Sequence, residues 1–186
     1  AWNEEESRGL GFPMPPLGVR FEMLEEMLQI IRALWTGERG TEGAFNGRHY
    51  QANRLLNSPQ AITRPHPPIM VGGGGEQKTL RLVAQYADAA NVFGDPPRLA
   101  HKYAVLRAHC DRIGRDYAEI ERTTLQDIAI DATGGPGTST PARIVERFGE
   151  LADAGAQHVI ISLRDVHELA HLELIGRDVI PQLAGL

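Results

Sequence analysis

The sequence holds a single cysteine, Cys110, in 186 residues. An internal disulfide is therefore excluded, and a reducing, cytoplasmic compartment is the expectation. No stretch approaches the ~18 consecutive apolar residues that would span a bilayer. Nor is there a block of like charge: 19 Lys and Arg stand against 24 Asp and Glu, for a formal net charge of -5. Nucleic-acid and membrane-surface roles thus lack an electrostatic footprint, and an anionic ligand would need local backbone donors. The opening Ala1-Trp2-Asn3-Glu4-Glu5-Glu6 is acidic and does not read as a signal peptide. It begins with a bulky Trp and no lead-in strand, which reads as the cut edge of a longer protein. What is present is an ordinary globular balance, 42% hydrophobic and 23% charged, which predicts one domain over residues 1–186 with a substantial core.

Phe21, Leu24, Leu28, Ile31 and Trp35 recur at spacings of three and four, predicting a helix from Gly18 to Trp35. Residues 37–68 then lose all helical period and carry Gly40, Gly43, Gly47, Pro59, Pro65, Pro67 and Pro68. They read as an insertion or lid with a short hairpin between Phe45 and Gln51. Beyond it the pattern alternates. Strands are predicted at Ile69–Val71, Ala89–Phe93, Thr123–Ile130 and His158–Leu163. The helix after the first carries Leu80, Val83, Ala84 and Ala87. The next starts at the cap Asp95-Pro96 with Leu99, Tyr103, Leu106, Cys110 and Ile113 on one face. Another starts at Thr140-Pro141 with Ile144, Phe148 and Leu151, closed by Gly155. The last uses Leu169, Leu172, Ile175 and Val179, with Pro181 stopping it. Such alternation means a parallel sheet with helical crossovers. Four units do not close a barrel, which needs about eight strands.

The most informative stretch is Ile69-Met70-Val71-Gly72-Gly73-Gly74-Gly75-Glu76-Gln77-Lys78-Thr79-Leu80. A strand delivers four glycines to a helix start, where backbone N–H groups can approach a ligand and the helix adds unpaired donors. That suits a phosphate, with Thr79 and Lys78 in reach. A tight strand-to-helix turn would also use glycine, but four in a row exceed what a turn needs. A dinucleotide fingerprint fails because Gln77 stands sixth. A P-loop fails because Gln77 replaces the glycine before Lys78-Thr79.

Several pieces, in order, resemble the luciferase-like monooxygenase family, especially members that use a deazaflavin coenzyme. They are Trp2-Asn3-Glu4-Glu5-Glu6, Arg20-Phe21 to Trp35-Thr36-Gly37, Phe45-Asn46-Gly47-Arg48-His49-Tyr50, Arg64-Pro65-His66-Pro67-Pro68-Ile69 leading into the glycines, Tyr86-Ala87-Asp88-Ala89, and Gly155-Ala156-Gln157-His158-Val159-Ile160. The resemblance implies an α/β fold that is the C-terminal part of a (β/α)8 TIM barrel, with strands five to eight, the preceding helix and an insertion. It implies a flavin- or deazaflavin-dependent oxidoreductase or monooxygenase, with coenzyme F420 as cofactor or FMN as the alternative. The reaction would be hydride transfer or oxygen activation on a small organic substrate. Gly73, Gly74, Gly75 and Thr79 would bind the cofactor phosphate; Trp2, Asn3 and Glu5 would lie beside its ring; Asn91 and Phe93 would line the substrate cavity. No catalytic residue is singled out. Association of two half-barrels into a homo-oligomer would bury the exposed sheet. A non-catalytic half-barrel that binds a phosphate ligand is the reading from another class.

His167-Glu168-Leu169-Ala170-His171 matches the H-E-x-x-H pattern, whose two histidines would share a helix face and whose glutamate would serve a zinc hydrolase. Only Glu173 lies nearby as a third ligand, and three protein ligands are expected. Cys110, Met23 and Met27 read as packing residues.

Overall fold

The computed structural model describes residues 2–36 and 43–184, so Gly37 and Gly40 of the insertion fall outside the described residues. The chain divides into two compact units, Ala1–Pro68 and Ile69–Leu186.

The first unit contains α1 (Glu4–Gly9), α2 (Leu17–Thr36) and an antiparallel hairpin of β1 (Gly43–Asn46) with β2 (Gln51–Leu55). Helix α2 lies within one residue of its predicted ends. Helix α1 was not foreseen. It starts because the Asn3 side chain accepts from Glu6 N–H at 3.0 Å, with Glu4, Glu5 and Glu6 in the first turn where the helix dipole favours acids. The hairpin turn is fastened to α2. The Glu26 carboxylate accepts from the backbone N–H of Arg48 at 2.7 Å, His49 at 3.0 Å and Tyr50 at 2.9 Å. One turn away, Glu22 takes the side chains of Arg48 and His49. A Cβ at Gly47 would collide with the Glu26 carboxylate and force it to shift from the latch.

The second unit is built on β3 (Met70–Gly72), β4 (Ala89–Val92), β5 (Glu121–Ile128) and β6 (His158–Leu163), all parallel and adjacent in that order. Each is followed by helix: α3 (Thr79–Tyr86), α4 (Pro96–Ile113), α5 (Pro141–Asp153), and α6 (Leu169–Asp178) with the short α7 (Ile180–Leu183). Asp95 and Thr140 cap α4 and α5 by accepting from Arg98 and Arg143 N–H, each ahead of a first-turn proline. Strand alternation sends Val92, Ile128, Val159, Ile161 and Leu163 to the helix side, where they meet Leu80, Leu99, Ile144, Phe148 and Leu151. Fully burying a side chain such as Leu99 contributes roughly 1.5–3 kcal/mol.

Five sequence expectations are corrected. β3 starts one residue late, because Ile69 N–H is taken by the Asp88 carboxylate at 2.7 Å. β5 runs two residues earlier than predicted, leaving Ile130 in an isolated bridge to Ser139. Ile113 is 48% exposed at the end of α4, just before the left-handed cap Gly114. In α6, Leu174 joins Ile175 and Val179 in the core while Leu169 and Leu172 face outward, and Pro181 sits at the start of α7 instead of ending the last helix.

Candidate phosphate-binding loop

The C-terminal end of β3 runs into Gly73, Gly74 and Gly75, then a turn over Glu76 to Lys78, then α3. The loop is anchored to the next strand by Gly73 N–H donating to Asn91 O at 2.9 Å. Gly73 has φ +125°, a conformation that a side chain would strain. Among the described residues, the N–H groups of Gly74 and Gly75 donate to no protein acceptor, while Gly75 O already accepts from Leu80 N–H at 3.0 Å. The loop therefore offers donors beside the positive end of α3.

Thr79 adds a hydroxyl. The residue is 7% exposed, but its oxygen is not among the fully enclosed side-chain atoms that lack a partner in the described residues. The side chain is turned to the loop, since a Cβ on Gly75 would come within 2.9 Å of Thr79 Oγ1 and one on Gly73 within 3.3 Å of Thr79 Cγ2.

Helix α4 supports the loop from a neighbouring position. His109 Nε2 donates to Glu76 O at 2.7 Å, and the Glu76 carboxylate binds both Lys102 and His101. Hydrogen bonds from Lys102 and then His101 hold the Glu76 carboxyl below its ordinary value. Lys102 Cε would lie 3.7 Å from a Cβ on Gly74.

Asn91 and Thr123 are register neighbours on the face opposite Val92, and Asn91 Oδ1 and Thr123 Oγ1 are both buried without a partner. Phe93 follows β4 directly and is 48% exposed. On the same C-terminal edge, a groove of about 810 Å³ is lined by Asp95, Asp127, Arg143, Arg147, Ser162 and Arg164 among others. Arg147 is fixed there by Gln126, which also donates to Gly94 O at 3.0 Å.

The structure thus brings together Gly73, Gly74, Gly75 and Thr79, with Asn91 tied in through its carbonyl. Trp2, Asn3 and Glu5 sit together at the start of α1 in the first unit: Trp2 is 88% exposed, Asn3 caps the helix, and Glu5 is exposed. Sequence reading missed Glu76, Lys102, His109 and the groove. Their partners are far apart along the chain, and no local spacing marks them.

The zinc reading is overturned. His167 and Glu168 precede α6, Asp165 has φ 54° in a turn, and Glu168 is the helix cap, so His167 and His171 do not share a helix face. Among the described residues, no group of three His, Cys, Asp or Glu is placed to hold a metal ion.

The family model for luciferase-like monooxygenases matches residues 1–134. The chain belongs to the luciferase-like monooxygenase family. Its family relatives include an uncharacterized protein of Mycobacterium tuberculosis, 36% identical over 87 residues that cover 47% of this chain and 28% of that protein. An FMNH2-dependent dimethylsulfone monooxygenase of Pseudomonas putida is 31% identical over 72 residues, 39% of this chain and 19% of that enzyme. The matched stretches therefore span under a third of these relatives. Among solved structures, an F420-dependent secondary alcohol dehydrogenase with an F420-acetone adduct matches with TM-score 0.80 at 15% identity, covering 92% of this chain and 64% of that one. EDTA monooxygenase from Chelativorans sp. BNC1 matches with TM-score 0.79 at 15% identity, covering 100% and 64%. The coenzyme F420-dependent tetrahydromethanopterin reductase of Methanopyrus kandleri gives 0.78 at 14% identity, covering 97% and 72%. At such identities the shared property is the fold, an α/β fold with a parallel sheet. Among the described residues, no helix is long and apolar enough to cross a membrane.

Proposed function

We propose that this chain is part of a flavin- or deazaflavin-dependent oxidoreductase and that it holds the phosphate of that cofactor on Gly73, Gly74, Gly75 and Thr79. The observation that carries the reading is the Thr79 side chain, 7% exposed and turned toward loop N–H groups that donate to no protein acceptor among the described residues. A phosphate oxygen would satisfy all of them at once, with charge-assisted hydrogen bonds. On this reading β3 to β6 correspond to strands five to eight of a (β/α)8 barrel, whose active sites lie at the C-terminal ends of the strands. The glycine loop and the groove both lie at that edge.

Coenzyme F420 is the preferred cofactor and FMN the alternative, because matched structures or relatives name both. When bound, the cofactor supplies hydride transfer or oxygen activation. The residues of this chain bind its phosphate, set its orientation through the loop, and offer Asn91 and Phe93 as a wall for the organic substrate. Trp2, Asn3 and Glu5 are assigned to the ring side on the family resemblance alone.

The test is a fluorescence titration with F420 and, separately, with FMN, repeated on Gly74→Glu. Saturable binding of one cofactor, abolished by a carboxylate placed on the loop, supports the reading. Binding that ignores the substitution, or no binding of either, sinks it.

A further inference from the structure

A phosphate on the glycine loop, as proposed above, needs more than neutral donors. The chain carries a net charge of -5, and the Glu76 carboxylate belongs to the loop's own turn. A phosphate bearing up to two negative charges would be repelled by that carboxylate unless a cation intervened. One stands close by. Lys102, on α4, carries its stem beneath the loop, and its ammonium is held by Glu76. The Lys102 side chain is only 15% exposed, whereas that of Glu76 is 42% exposed. Of the two, the glutamate is therefore the freer to move.

We infer that Lys102 and Glu76 form an exchange pair: when a phosphate occupies the loop, Lys102 transfers its ammonium from the Glu76 carboxylate to the phosphate. The inference rests on the loop being a phosphate site, for which the Thr79 side chain, 7% exposed and turned to Gly73 and Gly75, is the independent sign. Two contacts make the exchange feasible. His101 Nε2 lies 3.0 Å from the same Glu76 oxygen, on a side chain 62% exposed, so the released carboxylate keeps a partner. His109 holds the Glu76 carbonyl at 2.7 Å, so the backbone of the turn stays in place while the side chain leaves. Lys102 thus adds a second cation to the one that Lys78 brings to the turn, and Glu76 is a stand-in anion that phosphate must displace.

A purely structural tie between α4 and the loop predicts something different. Removing either partner would then loosen the loop and weaken binding. An exchange pair predicts opposite signs. The experiment titrates the full chain with inorganic phosphate and follows the backbone amide resonances of Gly73, Gly74 and Gly75. Lys102→Met is expected to weaken phosphate binding by about 10-fold or more, Glu76→Gln to strengthen it about 3-fold, and Lys102→Arg to stay near wild type. Equal affinity in wild type and Lys102→Met, or weaker binding in Glu76→Gln, overturns the exchange pair while leaving the loop as a phosphate site. Wild-type amides that do not respond to phosphate overturn both readings. Should Lys102→Met fail to fold, Glu76→Gln decides alone: tighter binding supports the pair, and unchanged or weaker binding overturns it.

Discussion

Thr79 sits where two requirements meet. For the fold alone, a 7% exposed residue at the start of α3 could as well be an apolar isostere, since no protein hydrogen bond of its hydroxyl is seen among the described residues. For a phosphate, the same hydroxyl is one more donor. Thr79→Val separates the two. Stability is expected to hold or rise by up to about 1 kcal/mol, because no protein hydrogen bond is lost. Cofactor affinity should fall by about 10-fold or more, the value of a hydrogen bond to a charged group. Thermal unfolding and the fluorescence titration read the two effects, and a drop in stability with unchanged affinity would make Thr79 a packing residue. Gly75→Ala tests the same contact from the other side. Its Cβ would stand 2.9 Å from Thr79 Oγ1 and push the hydroxyl away. It should therefore cost a similar loss of affinity, and the double variant should lose less than the two losses combined. Additive losses would mean that the two substitutions act separately.

Between elements, the hairpin latch on α2 depends on ionised carboxylates. Desolvation raises the Glu26 carboxyl, but the backbone donors of Tyr50, His49 and Arg48 outweigh it and hold it below the ordinary 4.5. A depressed folded value means that the latch is fully present above the ordinary value and is lost as pH falls through the lower, folded one. Amide protection of Arg48, His49 and Tyr50, corrected for intrinsic exchange, should be constant from pH 7 to about 5 and fall below about pH 4. Glu26→Gln should reduce that protection at neutral pH and remove its dependence on acid. Protection in the wild type that persists in acid would show that the hairpin holds without the carboxylate. The latch also marks the limit of what was legible in the sequence. Elements with their own signals were readable: the α2 stripe, the Asp95-Pro96 and Thr140-Pro141 starts, the glycine run after β3. Helix α1 escaped because six residues carry no apolar stripe and only its Asn3 cap announces it. Pairs such as Glu26 with Tyr50, or Glu76 with Lys102, escaped because 24 and 26 residues separate the partners and tertiary packing alone unites them. The histidine pair misled for the converse reason. A spacing of four meant a shared helix face only if the helix began before His167, and it begins at Leu169.

At the scale of the whole chain, apolar burial is unevenly divided. The core cluster from Leu80 to Val179 lies entirely within Ile69–Leu186, whereas Leu28 is the one fully buried apolar residue described in Ala1–Pro68. Stability scales with apolar area removed from water, so the first unit should open at a lower temperature than the second. Calorimetry is expected to show unfolding that departs from two-state behaviour, with a minor lower transition and a major upper one. The proposed phosphate site makes the assignment testable. Gly73, Gly74, Gly75, Thr79 and Lys102 all belong to the second unit, so a ligand on the loop should raise the upper transition, by about 2.7 kcal/mol at one hundred times its Kd. The lower transition should stay where it is. Thr79→Val should shrink the ligand-induced rise while leaving both transitions of the free protein within a few degrees of wild type. A single cooperative transition that moves as one body with ligand would show instead that the hairpin unit and the sheet unit share their stability, and that a phosphate bound to the loop stabilises the insertion as well.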